Sequence, residues 1–150
     1  MALEMSGEYE MPQAREVVWK ALNDAEILKK CIPGCETLEK LSDSEFQATV
    51  KLSIGPVSAR FKGRVKLEDI DAPNGYKIAG EGEGGVAGFA KGFANVALAE
   101  AGEGTKLTYK AEAATGGKIA QLGQRLIAGS AKKTADRFFE NFVAALQDYK

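Results

Sequence analysis

Gly117-Lys118-Ile119-Ala120-Gln121-Leu122-Gly123-Gln124-Arg125-Leu126-Ile127 leads through Ala128-Gly129-Ser130-Ala131 into Lys132-Lys133-Thr134-Ala135-Asp136-Arg137-Phe138-Phe139, and no proline interrupts the chain from Gly116 to Lys150. Read as one helix, this ending is about 30 residues, a rod of roughly 45 Å at about 1.5 Å per residue. Globular helices commonly run about 8–20 residues. A rod of that length crosses a whole domain, so the reading predicts a sheet wrapped around a helix. Such an arrangement encloses space.

Upstream, the chain alternates as strands do. Leu3, Met5, Tyr9 and Met11 share one parity, with Gly7 between them, which predicts a first strand. Pro12 stops it and suits the start of a helix. Val17, Val18, Ala21 and Leu22 fall at helical spacing, and Asn23-Asp24 caps a second short helix carrying Ile27 and Leu28 before Pro33-Gly34. Phe46, Ala48, Val50 and Leu52 then alternate with polar residues, as do Val57, Ala59, Phe61, Val65 and Leu67. The short Ile54-Gly55-Pro56 turn between them predicts a hairpin with one dry face. Ala72-Pro73-Asn74-Gly75 marks another turn. Tyr76 and Ile78, a glycine-rich stretch from Gly80 to Gly92, and strands over 95–100 and 105–113 complete the series. The expected fold is α+β: a curved antiparallel sheet of about six to seven strands, two short helices after the first strand, and a long C-terminal helix. The whole of 1–150 reads as a single domain.

Composition narrows the function. The 150 residues are 45% hydrophobic and 27% charged, with 20 basic against 21 acidic residues. That is an ordinary globular balance and gives no reason to expect nucleic acid. No run of about 18 apolar residues is present to span a bilayer. The N-terminus has neither a basic region nor an apolar core, so a cytoplasmic location is expected. There is no histidine, which removes the commonest general base and every serine–histidine or cysteine–histidine pair. Cys31 and Cys35 lie in Cys-Ile-Pro-Gly-Cys, which is not a Cys-x-x-Cys spacing, and without histidine no zinc set is completed. They read as ordinary thiols flanking a turn. The run Gly80-Glu81-Gly82-Glu83-Gly84-Gly85 lacks a Gly-Lys-Ser/Thr ending and carries glutamates that would repel phosphate. A bulged or sharply bent strand accounts for it better, and its glycines clear side chains from the concave face.

On the C-terminal helix, Ile119, Leu122 and Leu126 form one stripe, and Phe138, Phe142 and Leu146 another. The phenylalanine stripe continues backward through Ala135, Ala131, Ile127 and Ala120, mostly small residues. Two readings stand. The N-terminal half covers an apolar void, leaving Ile119, Leu122 and Leu126 as cavity wall or as a patch beside Lys118, Arg125, Lys132 and Lys133. Alternatively, the helix kinks at Gly129-Ser130 and both stripes are core.

Cys31-Ile32-Pro33-Gly34-Cys35-Glu36, Ile54-Gly55-Pro56-Val57, Phe61-Lys62-Gly63, the glycines of 82–84, Ala90-Lys91-Gly92 and the 117–123 run together resemble the G-subunit family of carbon monoxide dehydrogenase over almost the whole chain. That resemblance implies the helix-grip fold of the START/Bet v 1-like (SRPBCC) superfamily. It also implies a non-catalytic accessory protein serving a molybdenum-containing carbon monoxide dehydrogenase or related hydroxylase, by quinone delivery or membrane recruitment. The implied ligand is a quinone, menaquinone or ubiquinone, or a similar lipid, and the implied location includes the inner face of the membrane. Many members of that family carry a membrane-reaching segment after the domain, whereas this sequence stops at Lys150. A polyprenyl tail needs an apolar tunnel, and burying it gains roughly 25 cal/mol per Å². The candidate lining from the sheet is Val50, Leu52, Phe61, Val65, Ile78, Val96, Leu98, Leu107 and Tyr109. The helix contributes Ile119, Leu122, Leu126 and Ile127. The Tyr109 hydroxyl is a candidate donor to a quinone carbonyl. Each of these residues fits ordinary core equally well. The rival functions are a ligand-free docking module and an enzyme acting in the same cavity.

Overall fold

The computed structural model describes residues 2–149. In chain order the elements are β1 (Ala2–Met11), α1 (Arg15–Leu22), α2 (Ala25–Cys31), β2 (Cys35–Ser42), β3 (Glu45–Ile54), β4 (Val57–Asp71), β5 (Gly75–Glu83), β6 (Phe89–Ala101), β7 (Gly104–Gly116) and α3 (Gln124–Leu146). Short 3₁₀ turns lie at Gly85–Ala87 and Ile119–Leu122. The strands form one antiparallel sheet in the order β1-β7-β6-β5-β4-β3-β2. Six consecutive strands meander, and β1 returns to pair with β7 from Ala2↔Ala114 to Met11↔Thr105.

Local chemistry sets the boundaries. Asp24 caps α2 by accepting a hydrogen bond from the Glu26 amide at 3.0 Å, as a residue before a helix commonly does. Between β3 and β4, Gly55 takes φ +57° and Pro56 has φ fixed near −65°. That combination suits a two-residue hairpin turn whose twist matches the strands, and Ile54 pairs directly with Val57.

The C-terminal helix is shorter than the sequence predicts. It begins at Gln124 and runs 23 residues, roughly 34 Å at about 1.5 Å each. Gly123 holds φ +92° and Gly117 φ +79°, conformations no right-handed helix continues through. Ile119–Leu122 is therefore a separate 3₁₀ turn, and Ile119, Leu122 and Leu126 do not share one helical stripe. The break falls at Gly123, while α3 runs uninterrupted through Gly129 and Ser130. The glycine-rich stretch is also not bulged. β5 pairs in unbroken register with β6 from Gly75↔Ala97 to Glu83↔Phe89, and its later glycines make the turn between the two strands.

The interior divides into three apolar clusters. The largest joins α1, α2 and the C-terminal half of α3 to β1, β6 and β7, with Val18, Ala21, Leu107 and Phe142 all fully buried. A second gathers Phe46, Leu67 and Tyr76, with Trp19 packed against it. A third, at the far end, consists of Phe61, Ala87 and Ile119. Asn141 donates to the Cys31 carbonyl at 3.0 Å and Tyr149 to Asp24 at 3.1 Å, tying α3 to α2.

Candidate functional site

Between these clusters, the inward face of the sheet is paved with small side chains. Cross-strand register aligns Ala48, Gly63, Gly82, Ala90 and Thr115 in one row across β3 to β7. The next row runs Phe46, Val65, Gly80, Gly92, Ala113 and Leu3, and the one after it Leu67, Ile78, Ala94, Ala111 and Met5, so the small residues lie in the middle of each row and large ones at its ends. Ala48, Ala90, Ala94 and Ala113 keep accessible surface and lie outside all three clusters. α3 answers with small residues in its first half, where Ser130, Ala131, Thr134 and Ala135 are partly exposed. Its large side chains, Phe138, Phe142 and Leu146, are gathered in the second half. The helix thus packs its large side chains into the largest cluster at one end, while its first half carries small ones.

The candidate lining residues fall into distinct settings. Leu98, Leu107 and Tyr109 belong to the largest cluster, packed with Phe142 and Leu146. Phe61 and Ile119 form the far cluster, with Leu52 against it. Val65, Ile78 and Val96 pack against the second cluster yet stay partly exposed, and Val50 is likewise partly exposed. Ile127 is buried, Leu122 is intermediate, and Leu126 is 43% exposed on the first turn of α3. Val50, Leu52, Val65 and Ile78 therefore keep accessible surface on the inward parity of their strands, whereas Leu98 and Leu107 are buried in the largest cluster.

Two polar features flank this space. On the β1 side, Tyr9 stacks on Phe139 at 4.1 Å and donates its hydroxyl to Asp136 at 2.6 Å. Lys132 donates to the other carboxylate oxygen at 2.9 Å. Burial and then the carboxylate raise the Tyr9 hydroxyl above the ordinary tyrosine range. The Tyr9 and Lys132 hydrogen bonds hold the Asp136 carboxyl below the usual one. The Tyr109 hydroxyl lies beside that of Tyr9 and is part of this network. The second feature is Thr115, whose Oγ1 is buried without a hydrogen-bond partner. Sequence reading missed it. Alternation gives its parity, but only the register places its hydroxyl beside the glycine floor.

The opposite, solvent face holds a depression of about 550 Å³ lined by Gln47, Lys62, Arg64, Glu81, Glu83, Phe89 and Lys91. Lys62 lies opposite Glu83 and Arg64 opposite Glu81 in the strand ladder. Opposite charges facing each other on a wet surface make a solvated face. Cys31 and Cys35 are free thiols, the first buried and the second partly so. No helix among the described residues is long and apolar enough to cross a membrane.

The sequence profile of the carbon monoxide dehydrogenase G-subunit, CoxG, matches residues 7–147. No curated protein matches. Among solved structures, a conserved protein from Geobacillus kaustophilus is 34% identical, with TM-score 0.90, over 97% of this chain and 95% of that one. Ara h 8.0201 superposes with TM-score 0.66 at 16% identity, over 98% of this chain and 99% of that one. The Zhui aromatase/cyclase of a Streptomyces species gives TM-score 0.71 at 10% identity, over 98% and 94%. At those lower identities the likeness shows the shared fold: a curved antiparallel sheet around a long C-terminal helix.

Proposed function

We propose, from the premise that the chain belongs to the CoxG family of carbon monoxide dehydrogenase, that it carries an apolar molecule with a quinone-type head group between its sheet floor and the first half of α3. The chain is read as a non-catalytic accessory that passes this cargo to a molybdenum-containing carbon monoxide dehydrogenase or a related hydroxylase at the inner face of a membrane. The observation that carries the reading is the floor itself. Inward-facing Val50, Leu52, Val65 and Ile78 keep accessible surface around glycines that add no side chain. A folded domain ordinarily fills such space. An isoprenoid tail fills it and loses its own exposure to water.

Thr115 adds a reason for the head group. A buried hydroxyl without a partner costs about 1–3 kcal/mol, and a ligand carbonyl accepting from Oγ1 removes that cost. Thr115 is therefore a better placed donor than Tyr109, whose hydroxyl is already drawn into the Tyr9–Asp136 network.

Reconstitution tests delivery. The partner dehydrogenase is assayed for substrate-dependent menaquinone reduction with and without the chain. A rate that rises with the native chain and not with a variant whose floor is filled by valines at 63 and 82 supports delivery. A rate indifferent to the chain overturns it. Capture of the dehydrogenase by ligand-free protein, without any effect on quinone reduction, favours a docking module instead.

A further inference from the structure

We infer that the β7–α3 connection is the closed mouth of the apolar site: residues 118–122 are a stopper that swings on Gly117 and Gly123, and Ile119 is the side chain that seats it. The inference rests on the apolar-cargo reading and says how that site is entered. Register places the β3–β4 turn, the β5–β6 turn and this connection at one loop end of the sheet, since Ile54 pairs with Val57, Glu83 with Phe89, and Phe89 with Gly116. β7 leaves the ladder at Gly116.

The segment is built to move as one piece. Gly117 and Gly123 bracket it with φ of +79° and +92°, and glycine lets each end change its backbone angles at little cost. Between them the backbone bonds stay local: the Ala120 amide donates to the Gly117 carbonyl at 3.2 Å and the Gln121 amide to the Lys118 carbonyl at 3.1 Å. α3 then starts at Gln124 with no side-chain cap from Gly123. Of the described residues 117–126, Ile119 alone is buried. It is 4% exposed and packs with Phe61 and Ala87, with Leu52, Val57 and Ala59 against them. One side chain therefore seats the whole turn.

Other borders of the interior are pinned. Tyr9 bonds Asp136 across the β1–α3 seam, and Asn141 and Tyr149 bond α3 to α2. Phe142 and Leu146 are buried at the far end of the helix. Parting two strands breaks a ladder of backbone bonds, whereas lifting Ile119 gives up the contacts of one side chain. Local opening falls where so few buried contacts hold a segment. The hinge also lies close to the head-group donor in sequence, since Thr115, with its unpartnered buried hydroxyl, comes two residues before Gly117. An apolar tail passing the lifted turn covers Phe61 and Leu52 in place of Ile119, so opening exchanges one apolar contact for another. The turn then closes again over the cargo.

The test is stopped-flow quenching of Trp19, the single tryptophan of the chain, by menadione, with hydrogen exchange of the same proteins free of ligand. A stopper gates entry and exit alike, so loosening it raises the association and dissociation rates together and leaves Kd nearly unchanged. Removing one buried methylene favours the open state by about fourfold. Ile119→Val therefore raises both rates about fourfold, and Ile119→Ala raises them roughly fiftyfold. Amide exchange rises with them over 117–127 and stays unchanged in the second half of α3. Ile27→Val, the same deletion in the largest cluster, alters neither rate. Faster release alone, with weakened Kd, makes Ile119 a wall of the site and overturns the inference. Exchange that rises throughout the domain makes it plain core and overturns it equally. Exchange that rises only over 117–127, with no saturable quenching in any form, supports the movable stopper and sinks the cargo reading alone.

Discussion

Valine at both Gly63 and Gly82 raises the thermal stability of the ligand-free protein. These glycines face each other across β4 and β5. A β-carbon at Gly63 meets nothing closer than the Glu81 carbonyl at 3.5 Å, and one at Gly82 nothing closer than the Lys62 carbonyl at 3.6 Å. Neither glycine has a positive φ, so neither backbone resists a side chain. In a strand with room, valine gains up to about 1 kcal/mol over glycine per site. At roughly 3 °C per kcal/mol for a domain of this size, the pair raises Tm by roughly 3–6 °C. In a filled interior the same change overpacks, at about 1–3 kcal/mol per site, and Tm falls by roughly 6 °C or more. The two accounts differ in sign. Gly92→Val is the internal control, because its β-carbon collides with the backbone of Glu112 and Ala113, and it lowers Tm on either account. Circular dichroism melts of solvent-extracted protein decide the matter. A double variant that melts well below wild type refutes an unfilled floor.

Thr115→Val, which keeps the shape and removes the unpaired hydroxyl, stabilises the ligand-free protein by about 1 kcal/mol in urea unfolding while weakening menadione binding. Phe142→Ala, at a fully buried position in the largest cluster, costs about 3–5 kcal/mol in the same assay, whereas Leu126→Ala at the exposed loop end changes stability by no more than about 0.5 kcal/mol. Because the folded Asp136 carboxyl titrates below its unfolded value, its stabilisation is present above the ordinary carboxylate pKa of about 3.9 and is lost as pH falls through the depressed one. Tyr9→Phe removes the largest cause of that depression, and acid-induced melts show a shallower decline in the variant than in wild type. Burial raises both thiols above the ordinary cysteine range, so a disulfide reagent at neutral pH modifies partly exposed Cys35 slowly and buried Cys31 only after unfolding.

Most of the fold is written in alternation. β3 and β4 each hold one parity dry and one wet, and the Gly-Pro turn between them fixes their pairing. β2 carries no such signal. As an edge strand it leaves six of its eight residues exposed in the pattern from Cys35 to Ser42, so neither face demands a hydrophobic series. The start of α3 was illegible for a different reason. Nothing in Gly117 to Gly123 forbids a helix by composition, and only the positive φ of the two glycines reveals the 3₁₀ turn.

The site was half legible. Alternation selects the inward face but does not tell wall from core, because both obey the same parity. Leu107 is core since it shares a cluster with Phe142 and Leu146, whereas Val65, of the same parity, packs against a cluster and keeps accessible surface. The floor was harder still. Glycine and alanine give little hydropathy signal, and their alignment across five strands exists only once the register is known.

The most direct test of the account is what the protein holds when it leaves the cell. Purified chain is extracted with organic solvent and the extract examined by mass spectrometry, beside native mass spectrometry of the intact protein. One quinone or similar isoprenoid lipid per chain, lost from the valine-filled variant, is the predicted result. An extract with no stoichiometric apolar molecule, together with no saturable uptake of menadione in equilibrium dialysis, contradicts the claim that the interior is a carrier site.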